Sequence, residues 1–205
     1  DGNVGSWGFA RGGMGAVSNA LAGAFQSYGG EIRSESGVDQ IIVKNNRVKG
    51  VALESGEEIF APVVVSNMDV KRTFLNCMDE KDLPESFYNR VKNFKIRGSS
   101  GKLNIALDGM PTFPALPPGS ELIGHADMHF IDSMERMERA YDDWKDGTWS
   151  KDPYIDCTIP SAVDPTMTPP GKHFMSCFVQ YCPAQIEGRA WTSEERDAFT
   201  KSVID

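Results

Sequence analysis

Two tight turns divide residues 37–67 into three short β-forming runs, and this pattern constrains the fold more than any other feature of the sequence. The runs are residues 37–43, 47–53 and 58–67. Asparagine and glycine tolerate positive φ, so Asn45-Asn46 and Ser55-Gly56 suit tight turns between antiparallel strands. The middle run alternates polar and apolar residues, whereas Val63-Val64-Val65 predicts a third strand that is covered on both faces. We therefore expect a three-stranded antiparallel meander.

Helical periodicity and capping residues predict helices on both sides of this meander. Val17, Leu21 and Phe25 recur on one apolar face, which indicates a helix over residues 13–28 that ends at Gly29-Gly30. Asp69 is a good N-cap for a short helix, and a second helix is expected after Pro84. Ser133 would cap a helix over residues 133–146. We expect the helices at 13–28 and 133–146 to pack on sheets.

Extended segments in the second half of the chain predict a separate sheet, mixed or antiparallel. These segments are residues 95–108, 122–131, 154–159 and 173–181, with proline-rich loops at 109–119 and 160–171. Together the elements define an α+β protein, with a break between its two parts near residues 92–94.

Composition restricts the classes of partner. The net charge is −8 and the isoelectric point is about 4.9, which argues against a nucleic-acid partner because such proteins need a clustered basic face. No apolar run approaches the ~20 residues that cross a bilayer. The four cysteines, which lack C-x-x-C spacing, are expected to be buried free thiols in a reducing compartment: Cys77, Cys157, Cys177 and Cys182.

The sequence contains no self-contained catalytic motif, so the catalytic residues are unknown. G-x-S-x-G, H-E-x-x-H and G-x-G-x-x-G are all missing from it. His125 and His129 are four residues apart, but in an extended segment this spacing separates them by ~13 Å. We expect no metal site.

The two ends of the sequence suggest that the chain is an internal fragment. It begins without methionine in a glycine-rich stretch, and it ends at Asp205 within a helix that a capping box at Thr192 and Glu195 begins.

Several short motifs, in their order and spacing, resemble the phytoene-dehydrogenase-related flavoproteins, which are amine-oxidase-like FAD-dependent oxidoreductases. A glycine pair starts an apolar helix, and three consecutive segments then match the meander of this family. The matching motifs are Phe9-Ala10-Arg11-Gly12-Gly13-Met14, Arg47-Val48-Lys49-Gly50-Val51, Ser55-Gly56-Glu57 and Val64-Val65-Ser66-Asn67. The later part, which includes Asp164-Pro165 and Pro170-Gly171-Lys172-His173, points to the subgroup related to pyridine-nucleotide-disulfide-oxidoreductase-domain protein 2.

The resemblance implies roles for seven residues. Val38 would hydrogen-bond the adenine of FAD through its backbone, while Gly12 and Gly13 would let the chain approach the flavin closely. Ser66 and Asn67, at a strand end, would also face the cofactor. Arg11 and Met14 would line the substrate cavity.

The resemblance also implies that residues 1–93 are part of an FAD-binding domain and that residues 94–205 are a substrate-binding domain, cut short at its C-terminus. The family's strand–GxGxxG–helix, which seats the FAD pyrophosphate, is missing from this sequence. The full-length protein would bind FAD and oxidise an apolar, isoprenoid-like small molecule, whereas the chain alone would be inactive.

Four questions stay open. Peripheral membrane association of the full-length protein and homodimerisation are both compatible with the resemblance. By the same resemblance, the full-length protein is expected in the cytoplasm or the mitochondrion. A non-catalytic binding or interaction module derived from the same fold is the alternative to an enzyme.

Overall fold

A computed structural model describes residues 8–120, 123–125 and 127–204, which divide into two compact units. The four-stranded unit consists of Asp1–Ala24 and Arg97–Asp205, and the meander unit is Phe25–Ile96. The structure is α+β, as predicted from the sequence. The assignment of residues 1–93 to a cofactor domain and of residues 94–205 to a substrate domain stays a prediction.

The meander unit contains the predicted antiparallel sheet. Its strands, in the order β1-β2-β3, are β1 (Val38–Lys44), β2 (Arg47–Leu53) and β3 (Glu58–Phe60). Asn45 and Asn46 have φ of 54° and 57°, and Gly56 has φ of 86°. These left-handed conformations are the ones for which asparagine and glycine are suited, so both turns are confirmed.

The third strand of the meander is shorter than predicted. The Ala61 amide still donates to the Lys49 carbonyl at 2.9 Å, but Pro62 has no N–H with which to continue the ladder. Val63 and Val65 are 72% and 89% exposed. The prediction of a strand over residues 58–67 covered on both faces was therefore wrong.

Helical segments follow the meander as the capping residues predicted. The Asp69 carboxylate accepts hydrogen bonds from the Lys71 and Arg72 amides, each at 3.0 Å, and so caps a short helical segment. This segment includes a π-helical turn, Arg72–Asn76, and is followed by a 3-10 turn, Glu80–Asp82, and helix α2 (Glu85–Lys92).

The four-stranded unit is built on an antiparallel sheet in the order β4-β7-β6-β5. Its strands are β4 (Ser100–Leu107), β5 (Met128–Phe130), β6 (Tyr154–Thr158) and β7 (His173–Gln180). The sheet that the sequence predicted as mixed or antiparallel is therefore antiparallel. Leu122 and Ala126, which fall in the predicted segment 122–131, lie outside the described residues.

The core of this unit lies on one face of the sheet. Strand pairing aligns Leu103, Cys177, Cys157 and Met128 in a row across all four strands. Phe199 and Val203 of helix α5 (Ser193–Ile204) pack on the buried cluster of Cys157, Cys177 and Val179. The predicted capping box starts this helix: Thr192 Oγ1 accepts from the Glu195 amide and the Glu195 carboxylate from the Thr192 amide.

Helix α3 (Met134–Lys145) packs against the segment that follows β7. The Ser133 hydroxyl caps it by accepting from the Arg136 amide at 3.3 Å, as predicted. The Tyr141 and Tyr181 rings meet edge to face with centroids 5.3 Å apart. The fully buried Ser150 hydroxyl donates to the Ala140 carbonyl and accepts from the Tyr181 amide, so both backbone groups are satisfied.

Helix α1 (Gly13–Ser27) does not pack as the sequence predicted. Its boundaries agree with the apolar periodicity, but none of its residues is buried, and Met14 and Leu21 are 77% and 68% exposed. Periodicity identifies which face of a helix is apolar, but it does not identify what covers that face. Among the described residues, no helix combines the length and apolar character needed to cross a membrane.

Candidate cofactor and substrate sites

The glycine pair forms a left-handed turn at the start of α1, in the four-stranded unit. Gly12 and Gly13 have φ of 83° and 74°, a conformation that side chains with a Cβ rarely adopt. A Cβ on Gly13 would also lie 2.9 Å from the Met167 methyl group. Glycine is thus favoured at both positions by backbone conformation, whereas the Met167 methyl group, at the end of a flexible side chain, could move away from a Cβ. Arg11 and Met14, on either side of the pair, are exposed.

Asp164 fixes this turn from a distant part of the chain. One carboxylate oxygen accepts a 2.6 Å hydrogen bond from the Gly12 amide. The other accepts from the Thr166 hydroxyl at 2.6 Å and the Thr166 amide at 3.0 Å. The Thr166 hydroxyl and the Gly12 amide lower the pKa of Asp164, and the charge of Arg11 adds to their effect. Asp164 therefore holds the glycine turn as a carboxylate.

Asp164 was not among the site residues predicted from the sequence. The available signal was the run Asp164-Pro165-Thr166, in which an aspartate precedes a proline that begins a helical turn. That pattern predicts that the Asp164 side chain caps the helical turn that Pro165 begins. It does not predict that the second carboxylate oxygen binds Gly12, which is 152 positions away in sequence.

Val38 lies at the first residue of β1, an edge strand of the meander. It pairs with Leu53, and a register irregularity follows it before Gln40. Its carbonyl accepts a weak 3.9 Å contact from the Cys77 thiol, and its side chain is 37% exposed. An extended backbone on an edge strand is the arrangement that recognition of a base edge would need.

Ser66 and Asn67 follow β3 in an irregular segment. The Ser66 hydroxyl forms a 2.8 Å hydrogen bond with the Thr73 hydroxyl and accepts from the Met68 amide at 3.3 Å. Asn67 is exposed. Ser66 thus has a clear local structural role, and the part of both residues in cofactor binding stays a prediction, as it does for the other predicted site residues.

A cavity of about 440 Å³ lies over the core face of the four-stranded sheet. Most of its walls are apolar, and its lining includes Ile105, Phe113, Phe130, Ile155, Met175 and Val203. Arg136 and Asp152 also line it and form a bidentate ion pair at 2.5 and 2.6 Å. The Arg136 guanidinium lowers the pKa of Asp152, so the pair is charged. The cavity thus combines an apolar interior with one polar wall, where the charges of Arg136 and Asp152 neutralise each other.

Comparison with known proteins relates the chain to a group of oxidoreductases. The mouse protein named pyridine nucleotide-disulfide oxidoreductase domain-containing protein 2 is 34% identical over 212 aligned residues, which cover 100% of this chain and 36% of the mouse protein. A prolycopene isomerase from an Oncidium hybrid is 29% identical over 86% of the chain, and a neurosporene-forming phytoene desaturase from Cereibacter sphaeroides is 30% identical over 80%. These alignments cover 27% and 30% of the relatives.

Two solved structures share the fold. An oxidoreductase from Methanosarcina mazei matches 94% of the chain and 37% of its own length, with a TM-score of 0.56 and 17% identity. The PF1083 protein from Pyrococcus furiosus matches 95% of the chain and 39% of its own length, with a TM-score of 0.62 and 17% identity. No protein-family model matches the chain.

The chain is thus homologous to a segment of larger oxidoreductases that include phytoene desaturases and prolycopene isomerases. Within this group, its similarity to pyridine nucleotide-disulfide oxidoreductase domain-containing protein 2 extends over its whole length. The resemblance noted in the sequence is confirmed. The chain spans about a third of the length of these curated relatives, 36% of the mouse protein.

Proposed function

We propose that the chain is a segment of an FAD-dependent oxidoreductase of the desaturase or dehydrogenase type, which acts on an apolar, isoprenoid-like small molecule. The observation that carries this proposal is the similarity over the whole chain to one oxidoreductase-domain protein, together with similarity over most of the chain to phytoene desaturases. In such enzymes the flavin performs the redox chemistry, while the protein binds and orients the flavin and the substrate and excludes water from them.

The residues of the meander fit the adenine end of FAD. Val38 offers a partly exposed apolar side chain on an edge strand, and its carbonyl accepts a weak 3.9 Å contact from the Cys77 thiol. Adenine presents both a donor and an acceptor on its edge, so the backbone of one extended residue can satisfy it. Val38 would hold the base, and its side chain would contact the ring face.

The glycine turn would shape the flavin side of the site. The Gly12 amide already donates to Asp164, so it is not available to a ligand. Its contribution would be steric: the turn keeps Cβ atoms away from the approach path, and Asp164 holds that shape. Arg11 and Met14, exposed on either side, would contact the substrate.

The cavity over the four-stranded sheet supports an apolar substrate class. Aliphatic and aromatic side chains form most of its walls, and its charged pair is internally neutralised. Burial of hydrocarbon against such walls contributes about 25 cal/mol per Å². The net charge of −8 disfavours a polyanionic partner, because like charges repel.

Substitution of Val38 in the product of the complete reading frame tests the proposal. Val38→Pro removes the backbone donor at the first residue of an edge strand, where proline is tolerated. Val38→Ile retains both backbone groups. We expect FAD affinity, measured by flavin fluorescence titration, to fall at least tenfold for proline and little for isoleucine.

Circular dichroism supplies the control for this pair. Both variants must show the wild-type spectrum before their affinities are compared. Equal FAD affinity in the two folded variants would remove Val38 from the site, and a wild-type product that binds no FAD would refute the proposed function itself.

A further inference from the structure

Cys157 and Cys177 face each other across neighbouring strands of the four-stranded sheet. They are direct partners in the β6–β7 register, and their sulfur atoms are 3.0 Å apart. Directly opposed residues in an antiparallel pair have Cα atoms about 4.5–5.5 Å apart, which is within the range that a disulfide spans. A bond between these two sulfur atoms would therefore require little movement of either strand.

Both cysteines line the apolar cavity of about 440 Å³. Each is at most 2% exposed. Any reagent must therefore reach them through the cavity and lose its hydration there, which favours an apolar molecule over a polar one. The aliphatic and aromatic walls make the cavity suited to the hydrocarbon part of such a reagent.

The two thiols are not equivalent. The Cys157 S–H donates to the Cys177 sulfur, and this hydrogen bond lowers the pKa of Cys177, helped by the charge of Lys102. The same hydrogen bond, with burial, raises the pKa of Cys157. Because the thiolate is the reactive form, this asymmetry favours Cys177 as the nucleophile and Cys157 as the partner that resolves the intermediate.

We propose that Cys157 and Cys177 form a redox modification site, a dithiol that an apolar hydroperoxide entering the cavity oxidises to a disulfide. The Cys177 thiolate attacks the peroxide's outer oxygen, and the O–O bond breaks to give a sulfenic acid and an alcohol. Cys157 then attacks the Cys177 sulfur and releases water, so that two thiols and one hydroperoxide yield one disulfide, one alcohol and one water. This site does not depend on the proposed flavin chemistry.

The other two cysteines provide matched comparisons. Burial raises the pKa of Cys182, and its thiol lies 3.9 Å from the Pro183 carbonyl. Cys77 belongs to the meander unit, where its thiol contacts the Val38 carbonyl. Neither of them lines the cavity.

Treatment of the purified chain with cumene hydroperoxide, followed by alkylation under denaturing conditions and peptide mass spectrometry, tests the site. We expect two of the four thiols to be lost, a peptide that links Cys157 to Cys177, and full recovery with dithiothreitol. Cys182→Ser should behave like the wild type, and Cys177→Ser should form no disulfide. Cys157→Ser should stop at a sulfenic acid on Cys177 that dimedone traps.

Met14, 77% exposed, reports that the oxidant was active, because its sulfoxide forms without access to the cavity. Full alkylation of Cys157 and Cys177 in wild-type protein whose Met14 is oxidised would overturn the proposal. So would oxidation by hydrogen peroxide at the same rate as by cumene hydroperoxide, because the apolar cavity would then have no role in selecting the oxidant.

Discussion

The two sheets differ in how much of their apolar surface the described part of the chain covers. In the four-stranded unit, Ile159 and Val179 are completely buried, and α5 covers one face of the sheet. In the meander unit, the β3 residue Phe60 is 61% exposed, and Val65 after β3 is more exposed still. The four-stranded unit thus has a core of its own, whereas the meander and its following segment have an excess of uncovered apolar residues. This difference agrees with homology to a segment of larger oxidoreductases.

Ile159→Ala should have the largest effect, because it creates a cavity in the better-packed unit. We expect the free energy of unfolding to fall by about 2–5 kcal/mol. Urea denaturation followed by tryptophan fluorescence suits the measurement, since Trp144, Trp149 and Trp191 all belong to this unit.

Ile204→Ala is the matched control, since Ile204 is 61% exposed in the same unit. It should change the unfolding free energy by no more than about 1 kcal/mol. Similar losses for the two variants would contradict the claim that the core is centred on the sheet.

Asp164→Asn should have an intermediate effect that depends on pH. The folded-state pKa of Asp164 is lowered by the Thr166 and Gly12 hydrogen bonds, so the carboxylate stabilises the fold above its unfolded pKa of about 4. That stabilisation is lost as pH falls through the folded pKa. Urea midpoints of wild type and variant should therefore differ at neutral pH and converge in acid.

Asp197→Asn, on the exposed surface of α5, serves as the control for removal of a charge. A gap between wild type and Asp164→Asn that stays constant from neutral to acid pH would show that the carboxylate does not hold the Gly12 turn through its charge.

Val65→Ser should have the smallest effect. Because this side chain is almost fully exposed, its loss should change the unfolding free energy by within about 0.5 kcal/mol, as measured by circular dichroism in urea. A large loss of stability would mean that the segment after β3 is packed, and it would remove the contrast between the two units.

Local features of the fold could be predicted from the sequence, and contacts between distant segments could not. Asn45-Asn46, Ser133 and Thr192 act on neighbouring residues, so their turn and caps were predictable. The end of β3 was mispredicted because Val63-Val64-Val65 has strong β propensity. Pro62 has no N–H to continue the ladder, and no strand in the described part of the chain pairs with these valines. The β propensity of a segment therefore determines the end of a strand less strongly than its pairing with a neighbouring strand does.

The same distinction between local features and distant contacts applies to the residues of the candidate site. The glycine pair was recognisable because its conformation is local. The Gly12–Asp164 hydrogen bond, the Cys157–Cys177 pair and the apolar cavity depend on strand register and on packing of segments distant in sequence. None of these has a signal within a short window of sequence.

Whether this chain is a segment of an FAD-dependent oxidoreductase is tested most directly by comparing FAD binding by the 205-residue chain with FAD binding by the product of its complete reading frame. A backbone contact at Val38 supplies one or two hydrogen bonds worth about 1 kcal/mol each. Association costs about 4 kcal/mol or more in lost translational and rotational freedom. The strand–GxGxxG–helix motif that would bind the pyrophosphate is missing from this sequence.

Each protein is mixed with FAD and passed over a desalting column, and flavin absorbance is read in the protein peak. We predict a colourless peak for the 205-residue chain and a stoichiometric yellow peak for the product of the complete reading frame. A yellow peak for the chain alone, or a complete product without flavin, would contradict this prediction.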